Sequence, residues 1–282
     1  MELDRLAPVT GLPPAIEGAF VFIIGLVVGS FLNVCIYRMP RERSVIRPPS
    51  SCPACARPIP WHDNIPVLSW ILLRGRCRFC RAPISLLYPA VELLTAAAFL
   101  AAWWRHPDPR VYPVICLVMA GLIATTFIDL YHYIIPDEIT LGGVAAGLIS
   151  AALVPEITGR STHLAGLLRS LLGVAVGGGG LYLIAVAGSA LFKKEAMGMG
   201  DVKLMGAVGA FFGPQAPLFS LLVGSVLGSI VGLALMALGR ARRDSAIPFG
   251  PYLAAGAALY ALWGPALIRA YLALTVPPLH GG

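Results

Sequence analysis

The sequence predicts an all-α polytopic membrane protein with about eight transmembrane helices and a small cysteine-bearing domain between the first two. Hydrophobic residues make up 57% of the 282 residues and charged residues only 12%, whereas a soluble globular chain carries about 25% charged residues. Several apolar runs approach the roughly 20 residues that a helix needs to cross a bilayer. Four of the six cysteines lie in one polar, basic stretch, so this stretch forms a separate element outside the spans.

The apolar runs follow one another along the chain and are separated by short polar loops. Residues 1–37 hold a Pro-rich tail and the first span, and the tail shows no features of a secretory signal. Residues 38–83 form the polar domain, and residues 84–282 contain the remaining spans. The eight predicted spans cover residues 17–37, 84–104, 111–128, 139–154, 164–192, 202–213, 218–238 and 252–276.

The basic residues predict the orientation of the chain. Nine of the 21 Lys and Arg residues lie between Arg38 and Arg81, and basic loops of membrane proteins stay in the cytoplasm. Eight spans place 15 of the 21 basic residues on that side. Residues 202–213 are the short segment of this scheme, since twelve residues reach only about 18 Å, and local thinning or burial in protein would accommodate it. Nucleic-acid binding is disfavoured, because no aromatic platform accompanies the charge.

Two aspartates at the boundaries of apolar runs are the candidate catalytic residues. Asp201 follows Gly198-Met199-Gly200, and Asp129 ends the third span. With eight spans both lie at the cytoplasmic boundary, where two neighbouring carboxyl groups would share one proton. The ionised member could then take a proton from water while the protonated member polarises a scissile carbonyl, as in an aspartic protease.

Structural roles for these and the neighbouring charged residues are the alternatives. Asp201 could cap a helix that begins at residue 202, and Asp129 could satisfy the backbone of a loop. Asp137 and Glu138, which follow Pro136, are expected to begin a helix. Lys203 is expected to extend its side chain to lipid phosphates.

The paired cysteines predict a metal site. Cys52 and Cys55 form one C-x-x-C pair, and Cys77 and Cys80 form another. This spacing is typical of tetrahedral zinc sites, and four thiolate ligands leave no open position, so the zinc would be structural and the domain zinc-ribbon-like. Disulfides are the alternative, but a cytoplasmic loop is reducing. Cys35 and Cys116 fall inside spans and are expected to be buried as small apolar side chains.

Taken together, these motifs resemble the bacterial prepilin peptidases, which are membrane aspartic proteases of the G-x-G-D type. The matching stretches are GSFLNVCIYRMP at 29–40, the two cysteine pairs, PISLLYPAVELL at 83–94, IDLYHYIIPD at 128–137, residues 198–206 and IPFGPY at 247–252. The resemblance covers nearly the whole chain and implies that Asp129 and Asp201 are catalytic.

The resemblance further implies two activities. The first is cleavage of the leader peptide of type IV prepilins or type II secretion pseudopilins at the cytoplasmic face of the bacterial inner membrane, by the peptidase domain at 84–282. The second is methylation of the new N-terminal amine with S-adenosylmethionine. Leu87 stands where the family often has a basic residue. The expected partners are these substrates and membrane lipids.

The methyl-donor site has no recognisable motif. Asn33, Gly75 and Glu92 are its candidates, because they flank the zinc loop or sit in matched stretches. Glu92 could instead pair with an arginine of that loop. The glycines at 177–180 are read as a helix-packing surface and not as a phosphate cradle. The rival functions are a non-enzymatic channel or transporter with a zinc-binding adaptor, and a peptidase that cleaves another membrane protein within the bilayer.

Overall fold

The structure, a computed structural model, describes residues 13–193, 197–240, 242 and 247–275. Among these residues it contains helices and no β-strand, as the predicted fold class requires. The chain forms two compact units, Met1–Pro136 and Asp137–Gly282. Most of the predicted N-terminal tail, together with Lys194, Arg243 and Val276, lies outside the described residues.

The first unit contains three long helices and the cysteine domain. The helices of this unit are α1 (Pro14–Arg38), α2 (Leu68–Leu72), α3 (Leu87–Arg105) and α4 (Val111–His132), with 3₁₀ turns at Met39–Arg41 and Trp61–Asp63. Glycines let α1 and α3 approach closely: a Cβ atom at Gly25 would lie 2.5 Å from the Ala96 Cα, and one at Gly29 would lie 2.6 Å from the Glu92 Cα. Small residues at such a crossing permit the backbone contact that holds helices together in a membrane.

The second unit is organised around a short, central helix. Its helices are α5 (Asp137–Leu153), α6 (His163–Val174), α7 (Leu181–Phe192), α8 (Met199–Phe212), α9 (Gln215–Ala237) and α10 (Gly250–Thr275), with a 3₁₀ turn at Pro155–Thr158 and a π-helical turn at Ala175–Gly180. Ten of the fourteen residues of α8 are buried. A Cβ atom at Gly147 of α5 would lie 2.6 Å from the Ala210 Cβ of α8, so α5 packs directly on α8.

Among the described residues, six helical segments are long and apolar enough to cross a membrane. They are α1 with its following turn, α3, α4, the continuous segment His163–Leu191, α9 and α10. The other two predicted spans correspond to α5 and α8, which are helical but have only 17 and 14 residues. The expectation that the short segment is buried in protein is confirmed for α8, and full crossing by α5 and α8 stays a prediction.

The glycine run at 177–180 divides into two parts. Gly177 abuts the Met205 backbone, and a Cβ atom at Gly178 would lie 3.6 Å from the Gly206 Cα. A Cβ atom at Gly179 or Gly180 would meet no atom within 4 Å. The helix-packing interpretation thus holds for the first two glycines only, and the π-helical turn lies where the packing ends.

Candidate active site and thiol cluster

The four cysteines of the polar domain come together in space. Each C-x-x-C pair sits in a tight turn of the same form: the Cys52 carbonyl accepts a hydrogen bond from the Ala56 N–H at 2.8 Å, and the Cys77 carbonyl accepts one from the Arg81 N–H at 3.0 Å. Ala56 and Arg81 both have positive φ, 56° and 62°, which turns the chain back after each pair. An isolated β-bridge closes each turn, so the thiols are held by backbone geometry.

The thiol cluster fits a tetrahedral metal ion. Its ligand atoms all lie within 4.8 Å of one another, and the Sγ atoms of Cys52 and Cys80 are 3.8 Å apart. Zinc–sulfur bonds of about 2.3 Å in a tetrahedron give sulfur–sulfur distances of about 3.8 Å, the same as that pair. A disulfide requires about 2.05 Å, and all six cysteines are free. Cys35 and Cys116 are buried in α1 and α4 as expected.

The pKa values of two thiols of the cluster are shifted in opposite directions. Backbone N–H groups of Cys80 and Phe79 lower the pKa of the Cys77 thiol to about 6. For Cys80, the lowering by the Ala82 N–H is outweighed by desolvation and by the neighbouring thiols, which raise its pKa to about 11. Neighbouring thiolates repel one another, and a divalent cation bound to all four removes that repulsion.

The domain is attached to α3 through a buried carboxylate. Glu92 is 6% exposed, and its Oε2 accepts a hydrogen bond from the Val67 N–H at 2.7 Å. The alternative that Glu92 pairs with an arginine of the loop is therefore wrong, because a backbone amide takes that place. A backbone donor gives a fixed direction that a long arginine side chain does not.

The other two methyl-donor candidates have structural surroundings. Asn33 is buried, and its Nδ2 donates a hydrogen bond to the Tyr88 carbonyl at 3.1 Å, which joins α1 to α3. Gly75 has φ +65°, and a Cβ atom there would lie 2.9 Å from the Trp70 ring. Gly75 thus permits the turn that precedes Cys77.

Asp129 lies in the last full turn of α4 and is 6% exposed. The helix ends just after it, where the Tyr133 N–H donates to the Asp129 carbonyl at 2.9 Å and Tyr133 takes φ +57°. Thr125, four residues earlier, is fully buried, and its hydroxyl has no hydrogen-bond partner among the described residues. Residues four apart share a helix face, so Thr125 lies on the same face of α4 as Asp129.

Asp201 lies in the first turn of α8 and is partly buried. The helix begins at Met199 with Gly198 as its N-cap, so Asp201 is its third residue. The interpretation of Asp201 as the cap of a helix that begins at residue 202 is therefore wrong. A carboxylate in the first turn still interacts favourably with the helix dipole. A Cβ atom at Gly198 would lie 3.4 Å from the Asp201 Oδ2, so the glycine keeps space beside the carboxylate.

Lys203 has a protein partner. Its Nζ donates to the Asp137 Oδ1 at 2.7 Å, with the side chains of Lys203 and Asp137 34% and 55% exposed. The expectation that Lys203 extends to lipid phosphates is wrong, because its ammonium group forms an ion pair with Asp137, the first residue of α5. Asp137 does begin a helix, as predicted. The ion pair joins the first residue of α5 to the early part of α8 that carries Asp201.

These features define a multi-pass helical membrane protein with a cluster of four thiols that could bind a metal ion and with candidate acid groups at helix termini. Comparison with known proteins gives the particular family. The model of the bacterial peptidase A24 N-terminal domain matches residues 23–106, and that of the type IV leader peptidase family matches residues 116–233.

Individual relatives extend these matches over most of the chain. A protein of Aeromonas hydrophila named prepilin leader peptidase/N-methyltransferase is 38% identical over 92% of this chain and 95% of its own length. An Escherichia coli protein named type 4 prepilin-like proteins leader peptide-processing enzyme is 38% identical over 86% of this chain and 93% of its own.

A relative from Myxococcus xanthus with the same name as the Aeromonas protein is 42% identical over 79% of this chain, and the match spans 64% of that protein. No solved structure matches the chain significantly. The chain belongs to the type IV leader peptidase family and is an enzyme, so the alternative of a non-enzymatic channel or transporter is wrong.

Proposed function

We propose that this enzyme cleaves the leader peptide of type IV prepilins or type II secretion pseudopilins and then methylates the new N-terminal amine. The observation that carries this proposal is the similarity, over 92% of the chain, to a relative named for both activities. Asp129 and Asp201 are the proposed catalytic residues. Cleavage takes place at the cytoplasmic face of the inner membrane, in contact with lipids, which is where the basic loops predict both acids to lie.

In the proposed mechanism, the two aspartates share one proton. The ionised carboxylate accepts a proton from water as the water oxygen attacks the scissile carbonyl carbon. The protonated carboxyl group donates a hydrogen bond to the carbonyl oxygen, which gains negative charge. The carbon–nitrogen bond then breaks, and the departing amine takes a proton. Asp129 is buried near the end of α4, and Asp201 lies in the first turn of α8.

The cysteine domain is proposed to bind one structural zinc ion through Cys52, Cys55, Cys77 and Cys80. When bound, zinc would cross-link the two turns. With four thiolate ligands it would have no open position for catalysis. Trp70 donates through its Nε1 to the Ile84 carbonyl at 3.1 Å, which connects α2 to the segment that leads into α3. The contacts to α3 therefore position the cysteine domain, and the proposed zinc stabilises the fold of that domain.

Methylation requires a donor of an electrophilic methyl group, and S-adenosylmethionine is the proposed donor. The free amine of the mature N-terminus attacks the methyl carbon, the carbon–sulfur bond breaks, and the amine loses a proton. This chain has to bind the donor and exclude water from it.

One experiment tests both activities. Purified protein is incubated with a prepilin and S-adenosylmethionine, and the mature N-terminus is weighed by mass spectrometry. The proposal expects loss of the leader and a gain of one methyl group. An uncleaved prepilin refutes the peptidase assignment, and a cleaved, unmethylated product refutes the methyltransferase assignment.

The aspartate assignment has its own test. Asp129→Asn and Asp201→Asn preserve shape but remove proton exchange, so each should lower the cleavage rate by several orders of magnitude. The double variant should be little worse than either alone, because residues that act as a unit are non-additive. Asp137→Asn is the control and should cost far less. Normal cleavage by Asp129→Asn together with an inactive Asp137→Asn would show that Asp201 has a different partner.

A further inference from the structure

A cavity of about 460 Å³, open to the outside on one side, lies in the first unit between the C-terminal half of α1 and two loops of the cysteine domain. Its volume is within the range of about 300–1,000 Å³ that small-molecule sites occupy. Most of its wall is apolar, with Val34, Ile46 and Pro66 among the residues there, and Ser30, Arg38 and Asn64 supply polar groups.

One charged group is fixed on the wall of this cavity. The guanidinium of Arg38 donates to the Ser44 carbonyl at 2.9 Å and to the Pro48 carbonyl at 2.8 Å. These bonds hold the loop against α1 and keep the positive charge in place. Ser30 and Arg38 are eight residues apart on α1, which is about 12 Å along the helix axis.

A buried carboxylate lies directly behind the wall. Glu92 is hydrogen-bonded by the Ser30 side chain, and it accepts the Val67 N–H at 2.7 Å. Ser30 lines the cavity, and so does Pro66, the residue before Val67. Glu92 is thus tied to two separate parts of the wall, one on α1 and one in the loop.

The backbone at Val67 is strained. Val67 has φ 59° and ψ −50°, and the Leu68 N–H donates to the Pro66 carbonyl, which makes a γ-turn centred on a β-branched residue. Such conformations persist only where the surroundings enforce them, and they concentrate at binding sites. The N–H of this strained residue is the group that donates to Glu92, so the turn and the carboxylate are directly joined in this part of the wall.

We propose that this cavity binds the methyl donor, with its sulfonium directed toward Glu92 and its α-carboxylate toward Arg38. The proposal rests on the methyltransferase activity proposed above. Between Arg38 and Arg81 the chain carries nine basic residues and two acidic ones. This excess of positive charge repels a cationic ligand. Glu92 supplies the opposite charge, and the apolar wall suits a purine ring. In this assignment Asn33 and Gly75 have structural roles: Asn33 joins α1 to α3, and Gly75 permits the turn before Cys77.

The test compares two ligands that differ in charge. S-adenosylmethionine carries a sulfonium, whereas S-adenosylhomocysteine is a neutral thioether of nearly the same shape. Binding of each to the full-length protein in detergent is measured by equilibrium dialysis. Glu92→Gln keeps an oxygen that can accept the Val67 N–H, yet it removes the negative charge. The variant should bind S-adenosylmethionine about tenfold or more weakly and change the affinity for S-adenosylhomocysteine less than about twofold.

A second variant tests the location independently of charge. Val34→Phe places a ring in the cavity and should weaken both ligands by about tenfold or more, because the added atoms take ligand volume. Ile24→Phe, on a part of α1 that does not line the cavity and is 52% exposed, is the matched control and should bind both ligands as the wild type does.

The outcomes separate this proposal from the proposed function. Equal weakening of both ligands by Glu92→Gln would overturn the sulfonium role, and Val34→Phe binding like Ile24→Phe would overturn the location. A wild-type protein that binds neither ligand would overturn the methyltransferase activity itself, and with it this site, while prepilin cleavage is measured separately.

Discussion

The contact between α5 and α8 makes a graded prediction from three glycines of one helix. A Cβ atom at Gly142 would meet no atom within 4 Å, one at Gly143 would lie 3.1 Å from the Ala207 Cβ, and one at Gly147 would lie 2.6 Å from the Ala210 Cβ. Carbon atoms in contact normally stay about 3.5–4.0 Å apart. Replacing Gly147 by Ala therefore has to separate the helices by about 1 Å.

The magnitudes follow from two opposing effects. Overpacking of this kind costs about 1–3 kcal/mol, and alanine regains up to about 1 kcal/mol over glycine in a helix. Gly147→Ala should destabilise the second unit by about 1–2 kcal/mol, whereas Gly142→Ala should stabilise it by up to about 1 kcal/mol. Gly143→Ala should fall between them.

The assay is thermal unfolding in detergent, with prepilin cleavage measured in parallel. A difference of about 1–3 kcal/mol between Gly142→Ala and Gly147→Ala corresponds to about 2–12 °C for a unit of this size. Cleavage should fall in the same order, because α8 carries Asp201. Equal unfolding temperatures for the two variants would refute the close contact, and a destabilised Gly142→Ala would refute the reasoning about open space.

Three further predictions concern the metal, the ion pair and the topology. Purified protein should contain about one zinc per chain, and a double Cys52→Ser, Cys77→Ser variant should lose it, because removing ligands opens a structural site; full retention by elemental analysis would exclude this metal site. Exchanging the charges in an Asp137→Lys, Lys203→Asp variant should recover part of the cleavage lost in either single change. The coupling energy should be about 0.2–1 kcal/mol, because both side chains are about a third or more exposed. Strict additivity in the double-mutant cycle would refute a contribution of this ion pair to cleavage. A single cysteine at Arg242 should resist an impermeant reagent added outside whole cells, and labelling there would show that α8 does not span.

The sequence predicted the elements that depend on local pattern. Apolar runs placed all eight hydrophobic helices, because burial of a continuous apolar surface dominates their formation. The thiol cluster was predictable for a similar reason, since a C-x-x-C pair closes its own tight turn and two such turns form one site. Boundaries at glycines were less accurate: α8 begins at Met199, because Gly198 takes an extended conformation and serves as the N-cap.

Long-range pairing was beyond sequence reasoning. Lys203 and Asp137 are 66 residues apart, and no local spacing relates them, so the sequence alone does not predict their ion pair. The bond from Val67 to Glu92 depends on an unusual φ for valine, which the residue type argues against. In both places tertiary contacts override the preference of the isolated residue. The catalytic roles of Asp129 and Asp201 stay a prediction.

The length of α8 has a consequence for the substrate. Its fourteen residues rise about 21 Å, whereas the hydrocarbon layer is about 30 Å thick. If α8 spans, the membrane surface beside Asp201 must form a depression, because protein and not lipid surrounds most of the helix. Water can enter such a depression, so a polar peptide segment could approach Asp201 there without entering hydrocarbon.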